Sequence, residues 1–198
     1  MAAVVSELFS GSAMAFTMYM GLTAAAARIV NQFMVNWDFS DMVAEKMFTG
    51  EWGGTMCLTE SGAGSDVGAN RCKAARTDEA GVYLLEGEKI YISGGDQDLT
   101  ENIVHLVLAR TPDAPAGTKG LGLFMVPKFH FDSDGNLGER NDIRVVGIEE
   151  KMGIHGSSTC TLALGANGPC KGWLIGDERD GIRGARPWRG HPRSRTYL

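Results

Sequence analysis

Cysteine is scarce in this chain: Cys57, Cys72, Cys160 and Cys170 lie 15, 88 and 10 positions apart. Those intervals fit neither a zinc-ligand pair nor a C-x-x-C redox unit. They leave buried, reduced thiols as the reading, with the cytoplasm as the expected location. There is no uninterrupted run of 18 apolar residues, so no membrane span is expected. The first 16 residues, MAAVVSELFSGSAMAF, contain no basic residue and so lack the charged start of a secretory signal. Basic residues are outnumbered over most of the length. Residues 1–182 hold 14 of the 19 Lys and Arg but all 24 Asp and Glu, a net charge of −10 that excludes an electrostatic nucleic-acid surface. The last 16 residues invert this, with Arg183, Arg186, Arg189, Arg193 and Arg195 and no acid. A metal site is not expected either, because Asp132-Ser133-Asp134-Gly135 lacks the closing Glu of a calcium loop. His105 sits inside an apolar run and reads as a core histidine, while His130 and His155 fall in loops without a partner motif.

What is present is enough for a core: 198 residues, 43% hydrophobic and 22% charged. Residues 12–33 are rich in Ala, Met and Leu and contain no proline, which predicts a helix packed on more than one side. A second helix is predicted over 42–48, with Ser40-Asp41 as its N-cap and Gly50 as its stop. Beyond Gly50, β-prone runs alternate with turn signals, giving strands near 54–59, 69–77, 82–87, 89–93, 102–110, 121–127, 142–148 and 158–164. The 82–87 and 89–93 runs read as a hairpin turning at Glu86-Gly87-Glu88. The 102–110 run, NIVHLVLAR, is apolar enough to be a central strand buried on both faces. Residues 111–119 and 132–141 read as loops. The fold class is therefore α+β: a short N-terminal helical remnant (1–50), then an antiparallel β-barrel or sandwich (51–182), then the atypical basic tail (183–198).

Chemistry concentrates in MCLTESGAGSDVG, residues 56–68. An apolar strand meets the Thr59 hydroxyl and then a loop holding Gly62, Gly64 and Gly68 among Ser61, Ser65 and Asp66. Glycines that take φ > 0 and expose backbone N–H groups can build a nest for an acceptor or anion. An ordinary turn rich in small residues has the same composition. Asp66 fits a loop brace better than an acid.

Followed by GEKIYISGG at residues 87–95, this stretch resembles the acyl-CoA dehydrogenase family, whose middle β domain carries a C-(L/V)-T-E-P-x-A-G-S-D strand and loop and then G-x-K-x-(W/F/Y)-I-(T/S)-x-G. GEW at 50–52, GLGLFMVPK at 120–128, KMGIHGSSTCTL at 151–162 and GWLIGDERDGI at 172–182 agree with it. GGD at 94–96, the long 126–145 segment and GIEEKMGIHGSSTC at 147–160 are most similar to the branch that includes methylmercaptopropionyl-CoA dehydrogenase. The resemblance implies an FAD enzyme that dehydrogenates an acyl-CoA to its 2-enoyl-CoA and passes electrons to electron-transfer flavoprotein, within a homo-oligomer. It places Met56, Leu58 and Thr59 against the flavin ring, Gly64 and Ser65 at the FAD pyrophosphate with Ser65 also meeting the acyl-CoA, Tyr91 beside the ring and Ser93 near its N5.

Two departures are small: Ser61 replaces the usual proline, and Tyr91 the more frequent tryptophan or phenylalanine. A third is large. The family's C-terminal helical domain, source of the carboxylate base, is not recognisable, and no residue is assigned as a catalytic base. The chain is accordingly expected to be a fragment inactive by itself, with the tail arising from a frame change or appended residues. An acyl-CoA oxidase fragment and a non-catalytic β-barrel that binds a ligand or partner are the alternatives.

Overall fold

The computed structural model describes residues 2–179 and 181; the basic tail expected at 183–198 lies outside them. Two helices come first, α1 (Ala2–Phe33) and α2 (Ser40–Thr49). Ten strands follow: β1 (Trp52–Cys57), β2 (Lys73–Arg76), β3 (Val82–Ser93), β4 (Asn102–Arg110), β5 (Leu121–Pro127), β6 (Phe129–Phe131), β7 (Leu137–Arg140), β8 (Ile143–Ile148), β9 (Thr159–Leu164) and β10 (Lys171–Ile175).

Helix α1 starts ten residues earlier than the composition predicts and kinks at Ala13, whose backbone is extended (φ −152°, ψ 72°). It is also long and apolar enough to cross a membrane by length and composition, against expectation, because Glu7 and the interspersed Ser, Gly and Thr residues interrupt the apolar run without offsetting it. Its last turns are buried through Ala26, Ala27 and Val30, whereas Val4, Leu8 and Phe9 are exposed. Gly50 ends α2 in the left-handed conformation (φ 83°), as expected of a C-terminal glycine. The predicted cap does not form. Phe39 occupies that place without a side-chain hydrogen bond, and its ring is held by Trp37, Phe131 and Trp173 at centroid distances of 5.4–5.5 Å. Aromatic burial, not a capping hydroxyl, sets where this helix begins.

The main sheet runs β1-β4-β5-β10-β3-β9-β8, and β2 pairs with both β3 and β4, closing β4, β5, β10, β3 and β2 into a ring of strands. The sheet is mixed, with β1–β4 and β2–β4 parallel, which corrects the antiparallel expectation. Strands β1 and β4 pair in parallel from Trp52↔Asn102 to Cys57↔Val107, because β2 and β3 serve as the crossover that returns the chain in the same direction. The predicted hairpin at residue 87 is one continuous strand, β3, bent where Gly87 takes φ 140°. A side chain there would meet Cys72 Sγ at 2.5 Å, so glycine admits the neighbouring segment. The strand predicted over 69–77 shortens to β2, preceded by a 3₁₀ turn at Val67–Ala69. The sequence signals no strand at β10, nor at the β6–β7 hairpin, whose second strand lies inside the expected 132–141 loop.

Strand β4 is buried along almost its whole length, as NIVHLVLAR predicts. Leu106 and Leu108 face α1 and α2 together with Trp52, Leu123 and Met125. Val107 and Ala109 face the ring interior with Phe124, Val126 and Leu85. All four cysteines are free and buried; burial raises the Cys57 thiol to about 11 and those of Cys72 and Cys170 to about 12.

Helix α1 reaches the sheet through Gly54, whose N–H donates to Thr23 Oγ1 at 2.9 Å. A Cβ on Gly54 would lie 2.8 Å from Ala26 Cβ and 3.2 Å from Thr23 Cα. Gly54→Val is therefore expected to push the helix outward and cost about 1–3 kcal/mol, the usual penalty of overpacking. A urea unfolding midpoint equal to that of the wild type would contradict this packing.

Candidate functional site

The end of β1 and the end of β3 are tied together residue by residue. Thr59 C=O accepts from Ile90 N–H at 2.9 Å. Leu58 C=O accepts from Asn70 Nδ2 (2.8 Å) and from Lys89 Nζ (3.1 Å). Glu60 accepts from Lys89 Nζ (2.8 Å), Arg71 N–H (2.6 Å) and Cys72 N–H (3.0 Å). Burial pushes the Glu60 carboxyl up, but the Lys89 ammonium and the two amides outweigh it and hold the group below the ordinary carboxylate range. Lys89 is fully buried. It is the residue that sequence reasoning missed, since nothing local identifies Glu60 as its partner.

Of the predicted site residues, Met56 lies on β1, with Leu58 and Thr59 just after it at this junction. Gly64 and Ser65 come next in the loop, and Tyr91 and Ser93 lie on β3 beyond Ile90. Met56 and Leu58 are half-buried and pack their side chains against the core shared with the helices. Thr59 is half-buried, and among the described residues its hydroxyl has no hydrogen-bond partner. The chain then turns back on itself, with reciprocal Glu60 and Ala63 backbone hydrogen bonds of 3.2 and 2.9 Å. Gly64 and Ser65 follow, both exposed. The glycines work differently from expectation: none of Gly62, Gly64 and Gly68 has positive φ. Gly62 and Gly64 face open space, so what they supply is unobstructed backbone. Gly68 allows close packing on Gly117 and Thr118. Asp66 braces the loop through its main-chain carbonyl, which accepts from Ala69 N–H at 3.0 Å. Arg110 holds the far side, its guanidinium gathering the carbonyls of Asn70 (2.7 Å), Pro115 (3.0 Å), Gly117 (3.2 Å) and Gly68. A lone charge ending an apolar strand was the sequence signal for it.

On β3, Tyr91 stands at a bulge in the pairing with β9, has φ 59° and leaves 60% of its surface exposed. Positive φ is rare for a bulky residue. Here it turns the ring out of the sheet, which rules out a role as core filler. Ser93 is half-buried, with no hydrogen-bond partner for its hydroxyl among the described residues. It lines a cleft of about 410 Å³ between α1 and the sheet, with Phe16, Tyr19, Met20 and Leu99 among its walls. Tyr19 anchors one side by accepting from Ser158 N–H at 2.9 Å.

The histidines stay out of the site. His105 Nδ1 bonds Thr55 Oγ1 at 2.8 Å, and burial lowers its pKa to about 3, so the ring is neutral core. His155 Nε2 bonds Lys151 C=O. Asp132 caps its own turn through Asp134 and Asn136 N–H groups, and no cluster able to hold a metal occurs among the described residues.

The donor set suits an isoalloxazine ring: unspent hydroxyls at Thr59 and Ser93, an exposed aromatic plate at Tyr91 and open backbone at Gly62 and Gly64. Known proteins resemble the chain over most of its length. The acyl-CoA dehydrogenase middle-domain model matches residues 55–166. A butyryl-CoA dehydrogenase of Syntrophomonas wolfei is 49% identical over 175 residues, covering 88% of this chain and 28% of that protein. The 3-methylmercaptopropionyl-CoA dehydrogenase of Ruegeria pomeroyi is 47% identical over 139 residues, covering 70% and 23%. The crystal structure of Caenorhabditis elegans ACDH-11 in complex with C11-CoA matches with a TM-score of 0.70 at 28% identity, over 90% of this chain and 30% of that one. The chain thus spans less than a third of the length of each of these relatives.

Proposed function

The chain belongs to the acyl-CoA dehydrogenase family, and from that premise we propose that residues 51–182 are the flavin-contacting middle domain of an FAD-dependent enzyme that converts an acyl-CoA to its 2-enoyl-CoA. The observation that carries this reading is the tie between the two motifs, Thr59 C=O to Ile90 N–H with Lys89 bound to Leu58 and Glu60. It makes one continuous wall of two distant stretches.

FAD held here would supply the acceptor for the hydride lost from the substrate β-carbon. Met56, Leu58 and Thr59 bear on the pyrimidine side of the ring, where the Thr59 hydroxyl and strand amides oppose the negative charge that collects on reduction. Tyr91 provides stacking area and Ser93 a hydroxyl near N5. Gly64 and Ser65 hold the pyrophosphate side, with the Ser65 main chain also meeting the acyl-CoA. The apolar cleft beside Ser93 receives the acyl chain and keeps water away from it. No residue of this chain is assigned as the base, which belongs to a C-terminal helical domain of the intact enzyme. Electron-transfer flavoprotein as acceptor, assembly into a homo-oligomer and a cytoplasmic location complete the proposal.

Titrating FAD with the purified chain and following flavin fluorescence tests it. Quenching is expected for the wild type, and Thr59→Val and Ser93→Ala are each expected to weaken binding about tenfold, the equivalent of one hydrogen bond. Absent quenching in the wild type, or unaltered affinity in both variants, would overturn the assignment.

A further inference from the structure

Two costly features converge on a single carbonyl. Lys89 and Glu60 form an ion pair whose side chains are 0% and 9% exposed, and removing such charges from water is unfavourable unless geometry repays it. Asn70 is 1% exposed and its Oδ1 is left without a partner, one of two such buried side-chain atoms among the described residues. Both features spend a donor on Leu58 C=O: Asn70 Nδ2 at 2.8 Å and Lys89 Nζ at 3.1 Å. Turning the Asn70 amide over would place its oxygen against that carbonyl, so the orphaned acceptor follows from the contact. Neither arrangement is needed to fill space, since an apolar pair of similar volume would bury as well.

The Leu58 carbonyl and the Thr59 N–H belong to one peptide group. Donors on the oxygen draw electron density from the nitrogen, and hydrogen bonds in series reinforce one another where the dielectric is low. We propose that Lys89 and Asn70 are positioning residues: they fix the Leu58–Thr59 peptide and polarise it, so that the Thr59 N–H becomes a stronger donor toward the reduced flavin than toward the oxidised one. This rests on the flavin reading above. Glu60 completes the device by balancing the Lys89 charge and by fixing the 70–72 segment through the Arg71 and Cys72 N–H groups, which sets Asn70 in place. The ammonium acts through the peptide and touches no cofactor.

The test uses the whole chain with FAD as probe. Glu60→Gln/Lys89→Gln removes both charges together and leaves no unpaired ion, while Asn70→Ala removes one donor and spares the ion pair. Two readouts are taken. In ¹⁵N-labelled protein without FAD, the Thr59 amide signal is expected to move upfield in both variants while signals of β8 and β9 stay in place. With FAD bound, the preference for reduced over oxidised flavin is expected to fall about tenfold in the charge-free variant, which a dye-equilibrated titration reads as a midpoint about 30 mV more negative for a two-electron couple. Binding of oxidised FAD is expected to change less than threefold. An unmoved Thr59 amide, or a midpoint unchanged in both variants, overturns the inference and leaves the flavin reading standing. A wild-type chain that leaves flavin fluorescence unquenched overturns the flavin reading, and this inference with it.

Discussion

Lys89→Met is expected to destabilise the fold by about 3–5 kcal/mol, because it leaves the Glu60 carboxylate buried without its counter-ion. The magnitude follows from asymmetry. The pair contributes modestly relative to an apolar replacement, since desolvating both ions offsets their attraction, but a single removal keeps the desolvation and loses the attraction. Glu60→Met/Lys89→Met is therefore expected to recover most of the loss, although Arg71 and Cys72 N–H then lose their acceptor. Urea unfolding of the two variants beside the wild type reads this directly. A single variant as stable as the wild type would show that water reaches Glu60. A double variant no better than the single would show that the backbone anchor outweighs the charge.

Mild acid is the second large effect. His105 has a folded-state pKa of about 3 against an ordinary value of 6.5, driven by burial, with Lys128 and Arg140 lowering it further and Asp96 opposing them. The unfolded chain takes up this proton near pH 6.5 and the folded chain does not. Stability from the neutral ring is thus complete above pH 6.5 and is lost as pH falls toward 3, at about 1.4 kcal/mol per pH unit for one proton. The Glu60 and Asp96 carboxyls, held below their ordinary values, add to the loss only once pH drops under about 4.5. Between pH 6.5 and 4.5 the slope belongs to the imidazoles, and His105→Asn is expected to reduce it by one proton. An unchanged slope would mean that His105 is solvated and titrates alike in both states.

Much of this arrangement was legible because it is local. NIVHLVLAR announces a strand covered on both faces, and Gly50 announces a helix end. The two motifs announce the family because their residue types occur together, and the fold joins them through Thr59 C=O and Ile90 N–H. What was not legible depends on partners distant in sequence. Glu86-Gly87-Glu88 looks like a turn, yet Gly87 bends a continuous strand to admit Cys72. Residues 70–72 look like strand, yet Glu60 captures their N–H groups and Arg110 their carbonyl. Lys89 alternates like a solvent-facing residue and is fully buried because its partner lies 29 positions away. Strand β10 is only five residues long, and Lys171-Gly172-Trp173 gives no alternation strong enough to separate it from a loop. The loop glycines were read as left-handed, whereas the hydrogen bonds of the Glu60–Ala63 turn let the chain reverse without it.

That residues near 56–65 and 91–93 form one wall for a flavin is tested most directly by adding FAD to ¹⁵N-labelled chain and mapping which amides move. The account predicts that Leu58, Thr59, Gly64, Ser65, Tyr91 and Ser93 shift together with a single dissociation constant while β6 and β7 stay unaffected. Shifts absent at saturating FAD, or confined to one of the two stretches, would contradict it.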